Sequence, residues 1–188
     1  MNTSIIRILD FVISLFGLLI TSPLLGIVVI FGFFDTGSPI FIQERVGKKM
    51  RAFTLIKFRT MSIGTQSLAT HMTSSSSVTK LGRFLRKTKI DELPQLINVL
   101  KGDMSLVGPR PCLFSQEELI REREKRGVHA VLPGITGLAQ INGIDMSTPQ
   151  KLAKRDQQMI QDFSLTSYFK YILLTAIGKG SGDRVNSD

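Results

Sequence analysis

From Phe11 to Phe34 the chain reads FVISLFGLLITSPLLGIVVIFGFF, 24 residues without a charge. No other feature restricts the fold so strongly. A straight helix of this length covers roughly 36 Å, more than a bilayer's hydrocarbon core of about 30 Å. A cleaved signal fits poorly. The run exceeds the usual apolar region of about 7–15 residues, and FDTGSP follows it where a small-residue cleavage site would be needed. The segment belongs to a membrane.

Ser22-Pro23 sits at its centre, with eleven uncharged residues on either side. Proline removes a backbone donor and crowds the preceding turn, so a kink is expected there. Two arrangements follow. The helix can span with a kink, or it can bend sharply and leave by the face it entered, with the Ser22 hydroxyl bonding a freed carbonyl. The residues alone favour the spanning form, because prolines are well tolerated in spanning helices. The following flank, Arg45, Lys48, Lys49, Arg51, Lys57 and Arg59 against Glu44, is expected on the cytoplasmic side. Arg7 and Asp10 nearly cancel and decide little.

The whole chain carries 24 Lys+Arg against 15 Asp+Glu, a net charge of +9 over 188 residues. That suits anionic partners: a membrane surface, a phosphorylated substrate or nucleic acid. Nucleic acid is the weakest of these, since the basic residues track the membrane segment and the few tyrosines form no stacking array. The single cysteine, Cys112, excludes an internal disulfide, and His71 and His129 are too few and too far apart for a zinc site.

Residues 39–43 and 52–58 read as two strands around a basic glycine turn. Residues 64–77 read as a flexible loop. A basic amphipathic helix begins at Val78, with Leu81, Phe84 and Leu85 on one face and Lys80, Arg83, Arg86 and Lys87 away from it. Leu93, Leu96, Ile97 and Leu100 predict a helix over 92–100, with Pro94 in its first turn and Gly102 as its cap. Asp91 then lies near the N-cap and Glu92 in the first turn. SLVGPRP must be a rigid loop that carries Arg110. Residues 115–126 predict a helix with a Ser115–Glu118 capping box and Gly127 as its stop. LPGITGLAQINGI reads as loop plus short strand. Thr148-Pro149 opens a helix bearing Asp156, and 165–177 suits an interfacial helix.

Asp91 and Glu92 have an ordinary explanation as helix-start acids. Their setting points further. Arg83, Arg86, Lys87 and Lys89 precede them, and Arg110 is held by prolines. Cations can take phosphate oxygens while a carboxylate takes Mg²⁺. An aspartate kept ionised at a helix start can attack phosphorus.

These segments resemble the monotopic phosphoglycosyl transferases, the bacterial sugar transferase family. The resemblance rests on RILD, TSP, FIQERVG, IKFRTMS, IDELPQLINVLKGDMSLVGPRP and LPGITGLAQING, from about Arg7 to Thr175. It implies transfer of a sugar-1-phosphate from a UDP-sugar to polyprenyl (undecaprenyl) phosphate with release of UMP. Asp91 matches the nucleophile of a covalent phospho-sugar intermediate, and Glu92 the Mg²⁺ ligand. Lys57, Arg86, Arg110 and Asp156 match further active-site positions bound to phosphate or nucleotide, and Gln140 lies in a shared segment. Ser22 and Pro23 match the break of a re-entrant hairpin, which reverses the preference for a spanning helix. The expected fold is α+β, mainly helical: a membrane hairpin over 1–36, a catalytic domain over 37–178 with interfacial helices around a small β element, and a disordered tail over 179–188. The expected location is the cytoplasmic face of a bacterial inner membrane. Partners are the bilayer, downstream glycosyltransferases and, through exposed apolar surface, a second copy in a homodimer. Leu132, Met159 and Tyr168 depart from the residues expected at their positions. The rival function is a non-catalytic, membrane-anchored basic module that binds anionic lipid or partner proteins.

Overall fold

The computed structural model describes residues 3–64 and 77–180. The expected loop over 64–77, with His71, and the tail therefore lie almost entirely outside the described residues. The apolar run forms one helix, α1 (Thr3–Thr36), which continues through Pro23. Pro23 has no N–H to give to the carbonyl four residues back, that of Leu19. The Ser22 hydroxyl takes that role and donates to the Leu19 carbonyl at 2.9 Å.

Helix α1 meets the rest of the chain in two stretches. In the first, the Arg7 guanidinium donates to the carbonyls of Val99 and Met104 at 3.2 and 3.1 Å. Asp10 is fully buried and accepts from Ser105 Oγ, the Leu106 amide and the Tyr168 hydroxyl at 3.1, 3.0 and 2.9 Å. Arg7 and Asp10 thus dock the anchor, a role their near-cancelling charges concealed. Gly17 lets the helix close on Leu96, whose Cδ1 would lie 3.2 Å from an added Cβ. In the second stretch Val28 packs with Phe58 and Leu85, and Gly32 rests on Pro39. Between the two, Leu19, Ile20, Ser22, Pro23 and Leu24 are exposed.

Strands β1 (Ile40–Val46) and β2 (Ala52–Phe58) form an antiparallel hairpin with Ile40 opposite Phe58 and Val46 opposite Ala52. β1 runs three residues past its expected end because Arg45 is buried against the Pro111 carbonyl and the Val46 amide donates to the Cys112 carbonyl. Helix α2 (Lys80–Thr88) is capped by Thr79, and α3 (Gln95–Lys101) ends at left-handed Gly102. Asn98 of α3 is fully buried. Its amide donates to the Thr54 carbonyl and accepts from the Ile56 amide, at 2.7 and 3.0 Å, so it clamps the helix to β2.

β3 (Ser105–Val107) and β4 (Gly134–Thr136) pair in parallel as a second small sheet. Gly108 and Gly134 meet there so closely that a Cβ on either would strike backbone atoms of the other's segment. α4 (Glu117–Glu124), α5 (Leu138–Ile141), α6 (Pro149–Gln161) and α7 (Leu165–Ala176) complete the chain. The capping box expected at Ser115–Glu118 does not form. Gln116 holds the N-cap of α4, and its side chain is drawn back to the Leu113 amide at 2.9 Å. The main core gathers Ile6 with Val99, Met104, Leu106, Met159 and Tyr168, so α1 shares it with the segments around the site.

Candidate active site

Asp91 and Glu92 do not lie in the first turn of α3. They occupy a separate 3-10 turn, Ile90–Glu92, between α2 and α3, and the N-cap of α3 is Pro94. The cause is the residue before the turn. Lys89 adopts a left-handed backbone (φ 58°) that halts α2, and proline at 94 cannot supply an amide to extend helical bonding backwards. A left-handed non-glycine residue costs energy, and such strain concentrates where a function holds it. Both carboxylates are buried, at 4% and 8% exposure. A simple helix-start acid would stand in water.

Glu92 Oε1 accepts from the Arg110 guanidinium at 2.8 Å. Arg110 in turn is set by the GPRP loop and by a deeper support. Its carbonyl accepts from the Arg123 guanidinium at 2.8 Å, and Arg123 also donates to Asp156 Oδ2 at 2.8 and 3.0 Å. Asp156 and Arg123 are almost wholly buried. Burial pushes the Asp156 carboxyl up from its usual range, while the guanidinium opposite holds that rise back. Asp156 therefore reaches the dyad through Arg123 and the Arg110 backbone, and not by direct contact with Glu92.

Lys57 and Arg86 sit on the elements that flank the turn. Lys57 of β2 is buried beside the Phe41 ring, 5.5 Å from its centroid. Arg86, in the last turn of α2, donates from Nε to Thr60 Oγ1 at 2.9 Å. This placement depends on Gly82, where an added Cβ would come within 2.1 Å of the Thr60 carbonyl oxygen. Lys89 Nζ donates to the Lys179 carbonyl at 2.7 Å. Burial lowers the Lys89 ammonium's pKa, Glu92 opposes the shift and Arg110 adds to it. Gln140 lies on α5 with both amide atoms buried and no hydrogen bond among the described residues. Ser22 and Pro23 sit on the exposed stretch of α1, apart from this group.

Three members of the arrangement escaped the sequence: Arg123, Thr60 and the left-handed Lys89. Arg123 did leave a signal. It stands four residues after Leu119 on the buried face of α4, where an unpaired cation would be costly. The φ of Lys89 left none.

Two carboxylates with arginines at hand and hard oxygen donors suit phosphoryl chemistry on a metal-chelated diphosphate. For Mg²⁺ the donor set fits in a limited way. Glu92 Oε2 makes no hydrogen bond to a described residue, and the described residues contain no group of three or more His, Cys, Asp or Glu side chains able to hold an ion. Coordination would have to be completed by substrate phosphates and water, which is how Mg²⁺ is commonly held.

The bacterial sugar transferase family matches residues 1–179. The uncharacterized sugar transferase EpsL of Bacillus subtilis (strain 168) is 41% identical over 170 residues, spanning 90% of this chain and 84% of EpsL. The galactosyl transferase CpsE of Streptococcus agalactiae serotype III is 42% identical over 187 residues, 90% of this chain and 40% of CpsE. The UDP-glucose:undecaprenyl-phosphate glucose-1-phosphate transferase of Escherichia coli (strain K12) is 38% identical over 184 residues, 93% of this chain and 40% of that protein. The chain thus spans most of EpsL and about two-fifths of the other two. A match along nearly its whole length, with this identity to a relative of similar size, places the chain in the bacterial sugar transferase family.

Proposed function

We propose that the protein transfers a sugar-1-phosphate from a UDP-sugar to undecaprenyl phosphate. The observation that carries this reading is the buried Asp91–Glu92 turn with Arg110 bonded to Glu92. The names of relatives support the acceptor: proteins of Komagataeibacter xylinus, Escherichia coli and Klebsiella pneumoniae are named for undecaprenyl phosphate. In the first step an Asp91 carboxylate oxygen attacks the sugar-bearing phosphorus. The bond to the bridging oxygen breaks, and UMP leaves with that oxygen. In the second, a phosphate oxygen of the acceptor attacks the same phosphorus. The bond to Asp91 breaks, the carboxylate is restored and the lipid-linked diphosphate sugar departs. Neither step needs a proton relay, so positioning and neutralisation of charge supply the catalysis. Arg110 fixes Glu92, and Lys57 and Arg86 bring positive charge to the turn's flanks. Glu92 is the residue that would hold Mg²⁺, which would neutralise charge on the donor's diphosphate.

The same reading places α1 in the bilayer as a re-entrant element and the rest at the cytoplasmic face. Its support is that both stretches of α1, around Asp10 and around Val28, pack on one domain while the residues at Ser22-Pro23 face outward. A helix crossing the bilayer would carry one of those stretches away from the domain.

The test is UMP release from a panel of UDP-sugars with undecaprenyl phosphate and Mg²⁺, beside Asp91→Asn and a control without lipid. Release with one donor, lost in the variant, is the expected result. Full turnover by Asp91→Asn would rule out the nucleophile. A protein that binds vesicles normally yet releases no UMP from any donor would be the non-catalytic basic module.

A further inference from the structure

Beside the dyad, a slot of about 250 Å³ runs from Lys89 and Glu92 to α7. One end is charged. Along the rest, Leu93 just after the turn, Leu96 of α3, Leu106 of β3, Ile135 of β4 and Ile172 of α7 make apolar walls. Of the three hydroxyl residues that line it, Thr136 and Thr175 bond each other, and Thr88 donates to the Phe84 and Leu85 carbonyls. Their polarity is therefore satisfied within the wall. Ala176, the last residue of α7, stands exposed at the rim, between the exposed apolar side chains of Leu173 and Ile177.

A ligand for this shape has an anionic head and an apolar tail. The UDP-sugar is a poor candidate for the apolar part, since sugar and uracil hydroxyls and amides would find no hydrogen-bond partners there. An isoprenoid needs none. We infer that the slot binds the isoprene units nearest the phosphate of the acceptor, with Lys89 facing that phosphate and the remaining chain leaving over Ala176 into lipid. This rests on the transferase reading given above and locates its second substrate. The slot's volume holds a short stretch of the chain, so the enzyme reads the head end of the lipid and leaves most of its length in the bilayer. The slot opens beside Glu92, whose neighbour in the turn is the attacking Asp91, and this shortens the path between the lipid's head and the reacting phosphorus.

The experiment separates the two half-reactions. Exchange of labelled UMP into the UDP-sugar needs only the donor and Asp91, whereas transfer needs the lipid as well. Ala176→Trp closes the mouth of the slot from an exposed position. The expected result is a KM for undecaprenyl phosphate raised at least tenfold, with UMP exchange within twofold of wild type. An unchanged acceptor KM overturns the inference, and so does a fall in exchange alone, which would assign the slot to the donor. If Ala176→Trp loses both reactions, Ile172→Ala decides by widening the slot: the acceptor KM must move and exchange must not. Absence of UMP exchange in the wild type defeats the transferase reading instead. The slot is then judged by a benzophenone-bearing farnesyl phosphate: crosslinks in α3 or α7 sustain it, and crosslinks only elsewhere overturn it.

Discussion

Arg110 shows how a single side chain is held ready at this site. Its head binds Glu92, and its carbonyl is gripped by Arg123, whose charge is balanced by Asp156 in a fully buried pair. Breaking such a pair leaves an uncompensated buried charge, which is why Asp156 matters without touching the dyad. A second consequence of the same neighbourhood is pH sensitivity. His129 is held below its usual pKa by burial and by the Arg123 charge, and its Nε2 is buried without a partner among the described residues. A histidine depressed in the folded state favours folding fully above its unfolded pKa of about 6.5 and loses that contribution as pH falls through the folded value. The thermal midpoint in detergent should therefore drop between pH 7.5 and pH 5.5, and His129→Gln should flatten that drop. An equally steep drop in the variant would remove His129 as the cause.

Helix α2 and the turn after it act as one unit. Gly82 lets α2 lie directly on the Thr60 backbone, and that contact brings Arg86 within reach of Thr60 Oγ1. Gly82→Ala removes no polar group, yet it must push α2 off the segment that follows β2. Overpacking of this kind costs about 1–3 kcal/mol, so the variant should melt lower and lose transfer activity together. A variant with normal activity would show that α2 does not set the position of Arg86. This element also marks the limit of what the sequence disclosed. Apolar spacing located α2, α3 and α6, and the glycine at 102 ended α3 where expected. The 3-10 turn that holds Asp91 and Glu92 was read as the start of α3, because the periodicity of Leu93, Leu96, Ile97 and Leu100 extends smoothly back to it. Leu93 and Pro94 separate the two, since a proline supplies no amide to carry helical bonding back to the turn, and the left-handed Lys89 that ends α2 ahead of the turn carries no sign of its conformation. The capping box at Ser115 failed for a similar reason. Gln116 was taken up by the Leu113 amide, a contact that depends on the preceding loop. Arg110, by contrast, was legible at once, since prolines on both sides leave the chain little choice.

Across the whole molecule the decisive question is which side of the bilayer each end of α1 meets. Cys112 is fully buried, so single cysteines introduced at Asn2 and Asp35 can be read against a low background with a membrane-impermeant maleimide. A re-entrant α1 makes both label from the same side of inverted vesicles, whereas a spanning α1 makes them label from opposite sides. The docking of Asp10 also sets the order in which the protein can be made. The anchor is synthesised well before the groups that fix it: Ser105 and Leu106 lie 95 and 96 residues downstream of Asp10 and Tyr168 lies 158. Contacts so distant in sequence close late. The helix must therefore wait undocked until Tyr168 has been synthesised, and a nascent chain released before that residue would have an anchor but no fixed seat for it.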